Sequence, residues 1–170
     1  LEKGARALGL ARELPAIVVS ADVAEIRKLD PALHAKLVAK FRYLLTFPTI
    51  DGPASLVESM EERPNNWGTH ATFAVLCVAR YIGDDALLQH TAAVFRGWLG
   101  DWESYHNFKY GDLVWQTDKG KPVGVLPANA IMTIGGEVRN LSGAMPEELR
   151  RGGGLKWPPT FTDYCWEALQ

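Results

Sequence analysis

Apolar positions recur at helical spacing through the first hundred residues of the chain. Leu33, Leu37, Phe41, Leu44 and Leu45 fall on one helical face, behind Asp30 as an N-cap and Pro31 at the first helical position. Pro48 and the cluster Asp51-Gly52-Pro53 stop that helix. A short helix is predicted over 54–62, closed by Pro64, and a longer one over 67–82, capped by Asn65 or Asn66. The apolar face of the longer helix reads as Phe73, Leu76, Cys77, Val78 and Tyr81. Gly83 ends it, and Asp84 or Asp85 caps a further helix to about residue 99, with Leu87, Leu88, Val94, Phe95 and Trp98 inward. The tight Gly83-Asp84-Asp85 connection predicts that these two helices pack antiparallel as a hairpin. Residues 1–13 read as the end of another helix, and Asp163 as the cap of one over 164–170. No alternating pattern of strand length occurs in the first hundred residues, so the class is mainly α.

Composition narrows the partners. With 18 Lys+Arg against 20 Asp+Glu, the net charge of −2 gives no electrostatic footprint for nucleic acid or an anionic membrane. Hydrophobic residues at 47% and charged residues at 22% are ordinary for one globular domain. The longest apolar runs, such as 73–79, are too short to insert across a bilayer. The two cysteines form neither a disulfide framework nor a metal motif. No secretory leader is visible in this stretch. The last helix stops after about two turns, a length marginal in isolation, so the chain is expected to be a fragment of a larger helical protein.

The chain divides near residue 100. Nine of its 16 Gly fall after that point, as do Trp102, Trp115, Trp157 and Trp166 out of six Trp. The expected organisation is a single domain with a helical part over 1–100, a loop-rich substrate-binding part over 101–162, and a new helix over 163–170. The loop-rich part mixes aromatic rings with polar groups: Trp102, Tyr105, His106, Tyr110, Trp115, Gln116, Arg139, Asn140, Arg150, Arg151 and Trp157. Flat rings cover the apolar faces of sugars, and Arg, Asn and Gln bind hydroxyls and carboxylates, so this mixture points to a sugar polymer. Trp98, Trp102 and Trp166 read as core.

The strongest local signal is Asn65-Asn66-Trp67-Gly68-Thr69-His70. One Asn caps the helix, but two exceed what capping needs, and Gly68 in a first helical turn costs stability relative to Ala. His70 then shares a face with Phe73, Cys77 and Tyr81, placing an imidazole at the inward end of the helix. His34 and His90 read as solvated. No His or Cys pair at zinc spacing, phosphate loop, dinucleotide motif or nucleophile elbow is present, so no metal or other cofactor is expected.

The run Arg63-Pro64-Asn65-Asn66-Trp67-Gly68-Thr69-His70-Ala71 resembles the Asn-Asn-His motif of the alginate lyase superfamily, with three positions inserted before the His. The stretches at 94–101, 110–116, 150–159 and 164–170 are similar to segments of bacterial alginate lyase-like proteins, in the same order. This resemblance covers about residues 60–170. It implies an (α/α) toroid, or incomplete barrel, and β-elimination on a uronate-containing polysaccharide by a periplasmic or secreted enzyme. In such lyases Asn and Arg neutralise the substrate carboxylate, a His or Tyr removes the C5 proton, and a Tyr protonates the leaving oxygen. Carried over, Asn66 (or Asn65) matches the carboxylate-binding Asn, and His70 the motif His. Tyr105 or Tyr110 would be the catalytic Tyr, and Arg139, Arg150 or Arg151 the Arg. Asn65, Trp67, His106, Trp115, Gln116, Arg150, Arg151, Trp157 and Tyr164 would contact the anionic polymer. Two other readings remain: a glycoside hydrolase on the same architecture, using Asp101, Glu103 or Asp112, or a non-catalytic binding protein.

Overall fold

The structure is a computed structural model that describes residues 6–50, 55–160 and 162–169. It is mainly helical. Six helices come first: α1 (Ala7–Val23), α2 (Ile26–Leu29), α3 (Pro31–Thr46), α4 (Leu56–Glu62), α5 (Asn66–Ile82) and α6 (Asp85–Trp98). A two-stranded hairpin of β1 (Ile131–Ile134) and β2 (Glu137–Asn140) follows, then α7 (Pro146–Leu149), a 3-10 turn (Arg150–Gly152) and α8 (Asp163–Leu169). No helix among the described residues is long and apolar enough to cross a membrane.

The helix starts lie where the caps predict them. Asp30 accepts from the Leu33 N–H at 2.9 Å, Asn65 from the Trp67 N–H at 3.0 Å and Asp84 from the Leu87 N–H at 3.1 Å. Each side chain satisfies a backbone donor left open by the first turn. Gly83 closes α5 in the left-handed region at φ 70°, and α6 packs back against α5. The expected stop at Asp51-Gly52-Pro53 and the residues Ala54 and Gln170 lie outside the described residues.

Helix α5 is the centre of the helical part, packed against α1, α3, α4, α6 and α8. Its buried residues are small: Ala71, Ala74, Val75, Val78 and Ala79, with Tyr81 at the far end. This corrects the expected apolar face, because Phe73 and Leu76 are exposed. Several helices approach one axis closely only if its side chains are short, so alanine marks the inside of α5 better than phenylalanine does.

One further expectation is corrected by tertiary packing. Helix α1 does not end near residue 13 but runs on through Pro15 to Val23. A mid-helix proline removes a hydrogen bond, but Ala11, Leu14, Val18 and Ala21 are buried along the same helix, and that burial outweighs the loss. The segment after residue 100 holds only short elements before α8, and it packs on itself. Trp115, Val123, Leu126, Ala130, Ile134, Leu141 and Leu149 form a second core of their own. The hairpin over it turns through Gly135 and Gly136, both at positive φ (61° and 86°), which a two-residue hairpin turn requires and glycine supplies.

Candidate functional site

The N-terminal turn of α5 joins a polar cluster drawn from four parts of the chain. Asn66, 0% exposed, uses every polar group it has. Its backbone N–H donates to the Glu148 carboxylate of α7. Its Nδ2 donates to Glu167 Oε2 of α8 at 2.7 Å, and its Oδ1 accepts from Arg151 at 3.0 Å. Arg151 also pairs through Nε with Glu148 Oε2 at 3.0 Å, and its guanidinium lies 4.3 Å above the Tyr164 ring. Arg12 of α1 completes the group by donating to the same Glu167 oxygen at 2.8 Å. Burial raises the Glu148 carboxyl above its ordinary value, against the opposing pull of the Asn66 N–H and Arg151.

The two asparagines therefore divide the work. Asn65 caps the helix, and Asn66 ties it to α8 and the 3-10 turn. Gly68 has a steric cause rather than a chemical one: a Cβ there would lie 1.7 Å from the Arg63 carbonyl oxygen. Trp67 carries the Arg63 guanidinium 4.5 Å above its ring.

His70 stands one turn further along α5. Its Nε2 is buried without a hydrogen-bond partner. Burial holds its pKa below 6.5, assisted by Arg12 and opposed by Glu167, so the ring is neutral at neutral pH. His70 lines a cleft of about 380 Å³ between α5, α6 and α8, together with Phe73, Leu76, Phe95, Trp98 and Leu169. Thr69, Thr72 and Thr91 also line it, each bonded back to a carbonyl of its own helix, so the walls are apolar. Asn66, both candidate tyrosines, Trp115, Trp157 and the candidate arginines are not among the residues that line this cleft.

The tyrosines differ in what their hydroxyls do. Tyr105 donates to the Glu61 carbonyl at 2.8 Å, and burial pushes its pKa up to about 12. Tyr110 keeps a buried hydroxyl with no partner, and burial beside Glu147 raises its pKa further. Glu147 in turn accepts from the Gly111 N–H at 3.2 Å and from Arg150 Nε at 2.5 Å.

Several expected substrate contacts have partners within the chain. Trp115 is 1% exposed, with its indole N–H on the Gly154 carbonyl. Gln116 clamps Val123 on both sides, donating to its carbonyl at 2.8 Å and accepting from its N–H at 3.1 Å. His106 is exposed and stacks on Trp102 at 4.9 Å. Arg139 lies on β2, its guanidinium 4.9 Å over the exposed Trp157 ring and paired with Glu137, within the hairpin region rather than beside Asn66. Trp98 is core as expected, whereas Trp166 is exposed, and His34 and His90 are half-buried against Tyr81 and Glu61.

Two of the three carboxylates of the hydrolase reading cap loops. Asp101 accepts from Ser104, which lowers its pKa, and Asp112 from the Val114 N–H. Among the described residues no group of three or more His, Cys, Asp or Glu is placed to hold a metal ion. The residues that sequence reasoning missed are Arg12, Glu148 and Glu167. Glu148 meets Asn66 across 82 positions and Glu167 meets Asn66 and Arg12 across 101 and 155, so spacing carries no signal for these contacts. Comparison of the chain with known protein families, with curated proteins and with solved structures gives no match in any of the three.

Proposed function

We propose that the chain carries the core of a polysaccharide lyase that cleaves a uronate-containing, alginate-like polymer by β-elimination. In this reading its helical hairpins belong to an (α/α) toroid, and the enzyme works in the periplasm or outside the cell. The observation that carries the reading is the Asn66–Arg151 pair, 3.0 Å apart, one helical turn before a neutral imidazole. Removing a proton α to a carboxylate builds charge on that carboxylate, so amide and guanidinium donors aimed there stabilise the transition state most. His70, neutral with a free ring nitrogen, takes the C5 proton. The C4–O bond breaks, C4 and C5 become doubly bonded, and a tyrosine protonates the leaving oxygen. Tyr110 suits that step better than Tyr105, whose hydroxyl is engaged by Glu61.

A second reading, a non-catalytic glycan-binding helical module, is favoured by the burial of Asn66, whose amide is already engaged at both atoms. One experiment separates the two. The protein is incubated with alginate, glucuronan, hyaluronan and pectate-type polymers, and ultraviolet absorbance follows the unsaturated sugar end. Turnover on one polymer is the expected result. A new reducing end without that absorbance indicates a hydrolase, and saturable binding without turnover indicates the binding module.

A further inference from the structure

Glu167 sets a carboxylate against donors from two other helices. One oxygen, Oε2, accepts from Asn66 Nδ2 at 2.7 Å and from Arg12 at 2.8 Å, two donors on different helices converging on a single acceptor. Both also lie near His70, whose titration Arg12 and Glu167 influence in opposite directions. The donors sit on α1 and α5, which pack closely against each other, whereas the acceptor is delivered by α8. Within α8, Ala168 is buried and Cys165 half-buried, and Trp166 and Leu169 are 70% and 64% exposed. The Arg12–Glu167 pair is itself open to water, at 44% and 37% side-chain exposure, where ion pairs contribute little.

We propose that Asn66 Nδ2 and Arg12 form a carboxylate-binding site, that Glu167 is its internal occupant, and that an anionic sugar enters by displacing Glu167 and loosening α8. The proposal rests on the uronate reading above and adds Arg12 as a donor and Glu167 as a tethered competitor. It also accounts for a substrate-binding asparagine being buried: the seat is closed by the chain's own carboxylate. A ligand that binds only the open form has its affinity reduced by the fraction of open molecules, so removing the competitor strengthens binding.

Calorimetric binding of sodium glucuronate to the full chain tests this, with glucose as the neutral control. Glu167→Gln is expected to bind glucuronate about tenfold or more tightly than the wild type, with glucose unchanged. Adding Asn66→Ala or Arg12→Ala to that variant should abolish the gain. An unchanged or weaker Kd in a Glu167→Gln protein that retains its circular dichroism and melting transition overturns the proposal, as does an equal gain for glucose. Should Glu167→Gln fail to fold, hydrogen exchange on the wild type decides: saturating glucuronate should speed exchange of the α8 amides, and unchanged α8 exchange overturns the latch. Failure of the lyase reading remains distinguishable. The glucuronate gain without turnover on any polymer keeps the latch and removes the lyase, and turnover without the gain does the reverse.

Discussion

Arg151 reaches across 85 positions of sequence to donate to the Asn66 side-chain oxygen at 3.0 Å. The same guanidinium pairs with Glu148, which accepts from the Asn66 backbone N–H. The first turn of α5, α7 and the 3-10 turn after it are thus held as one unit. That unit adjoins the turn of α5 that carries His70.

Glu148 is the residue on which this unit depends. It is 0% exposed, and its removal leaves Arg151 without an ion-pair partner and the Asn66 N–H without its acceptor. Breaking a buried pair by deleting one partner costs about 3–5 kcal/mol. Glu148→Ala is expected near the low end, about 3 kcal/mol, because Arg151 keeps some contact with solvent and can rehydrate. Denaturant unfolding measures it. A loss of about 0.5 kcal/mol or less would mean the carboxylate is not holding the unit together.

Gly68 makes a prediction of opposite character, since nothing polar is involved. A Cβ at this position meets the Arg63 carbonyl oxygen at 1.7 Å, and backbone cannot move aside as a side chain can. Alanine normally stabilises a helix interior relative to glycine by about 1 kcal/mol. Here Gly68→Ala is expected to destabilise by about 1–3 kcal/mol, because the α4–α5 connection must shift. Thermal melting checks the sign, and a raised Tm would refute the close approach.

How much of this was legible in the sequence follows from the range of each interaction. Asp30, Asn65, Gly83 and Asp84 act on backbone within a few residues, and spacing finds them. The hairpin at Gly135-Gly136 was equally local; the signal stood in Ile131-Met132-Thr133-Ile134 and was hidden by the irregular stretch around it. The inside of α5 was misjudged because hydrophobicity ranks Phe73 above Ala74, while close packing on many sides selects the smaller residue. Of the candidate site, the residue types at Asn66 and His70 were visible. What holds them, Arg12, Glu148, Arg151 and Glu167, depends on which distant elements meet, and a local pattern does not encode that.

Trp115 and Trp157 looked alike as sugar platforms, and the structure separates them. Trp115 lies in the second core with its N–H satisfied, whereas Trp157 is 44% exposed beneath the Arg139 guanidinium. Trp115→Ala is expected to cost about 3–5 kcal/mol of stability, the usual loss for a buried indole. Trp157→Ala should stay within about 1 kcal/mol, the scale of an exposed cation–π contact, and any effect on polymer affinity should be confined to it. Parallel denaturation and polymer-binding measurements test the contrast, and equal stability losses would place both rings in the core.

His70 ties stability and chemistry to the same proton. Burial, with Arg12 second, holds its folded pKa below 6.5, and Glu167 only partly opposes them. The folded state therefore resists a proton that the unfolded chain accepts. Above about pH 6.5 the ring is neutral in both states and there is no penalty. As pH falls through the folded pKa, folding must charge a desolvated ring, and stability drops. Glu148 acts in the other direction, because its raised carboxyl becomes protonated readily and its burial cost eases in acid. Comparing the wild type with His70→Gln cancels the Glu148 contribution, since both proteins carry it. The Tm advantage of the wild type over His70→Gln is expected to shrink from about pH 7 to about pH 5, and a difference constant with pH would place the ring in ordinary solvent. If His70 is the base of an elimination, the acid limb of kcat/KM reports the same lowered pKa in the free enzyme, and His70→Ala lowers kcat by about 10²-fold or more. Replacing Arg12 by Ala removes a cation that lowers the pKa, so that limb should move to higher pH. An acid limb that survives in His70→Ala would assign the proton to another group.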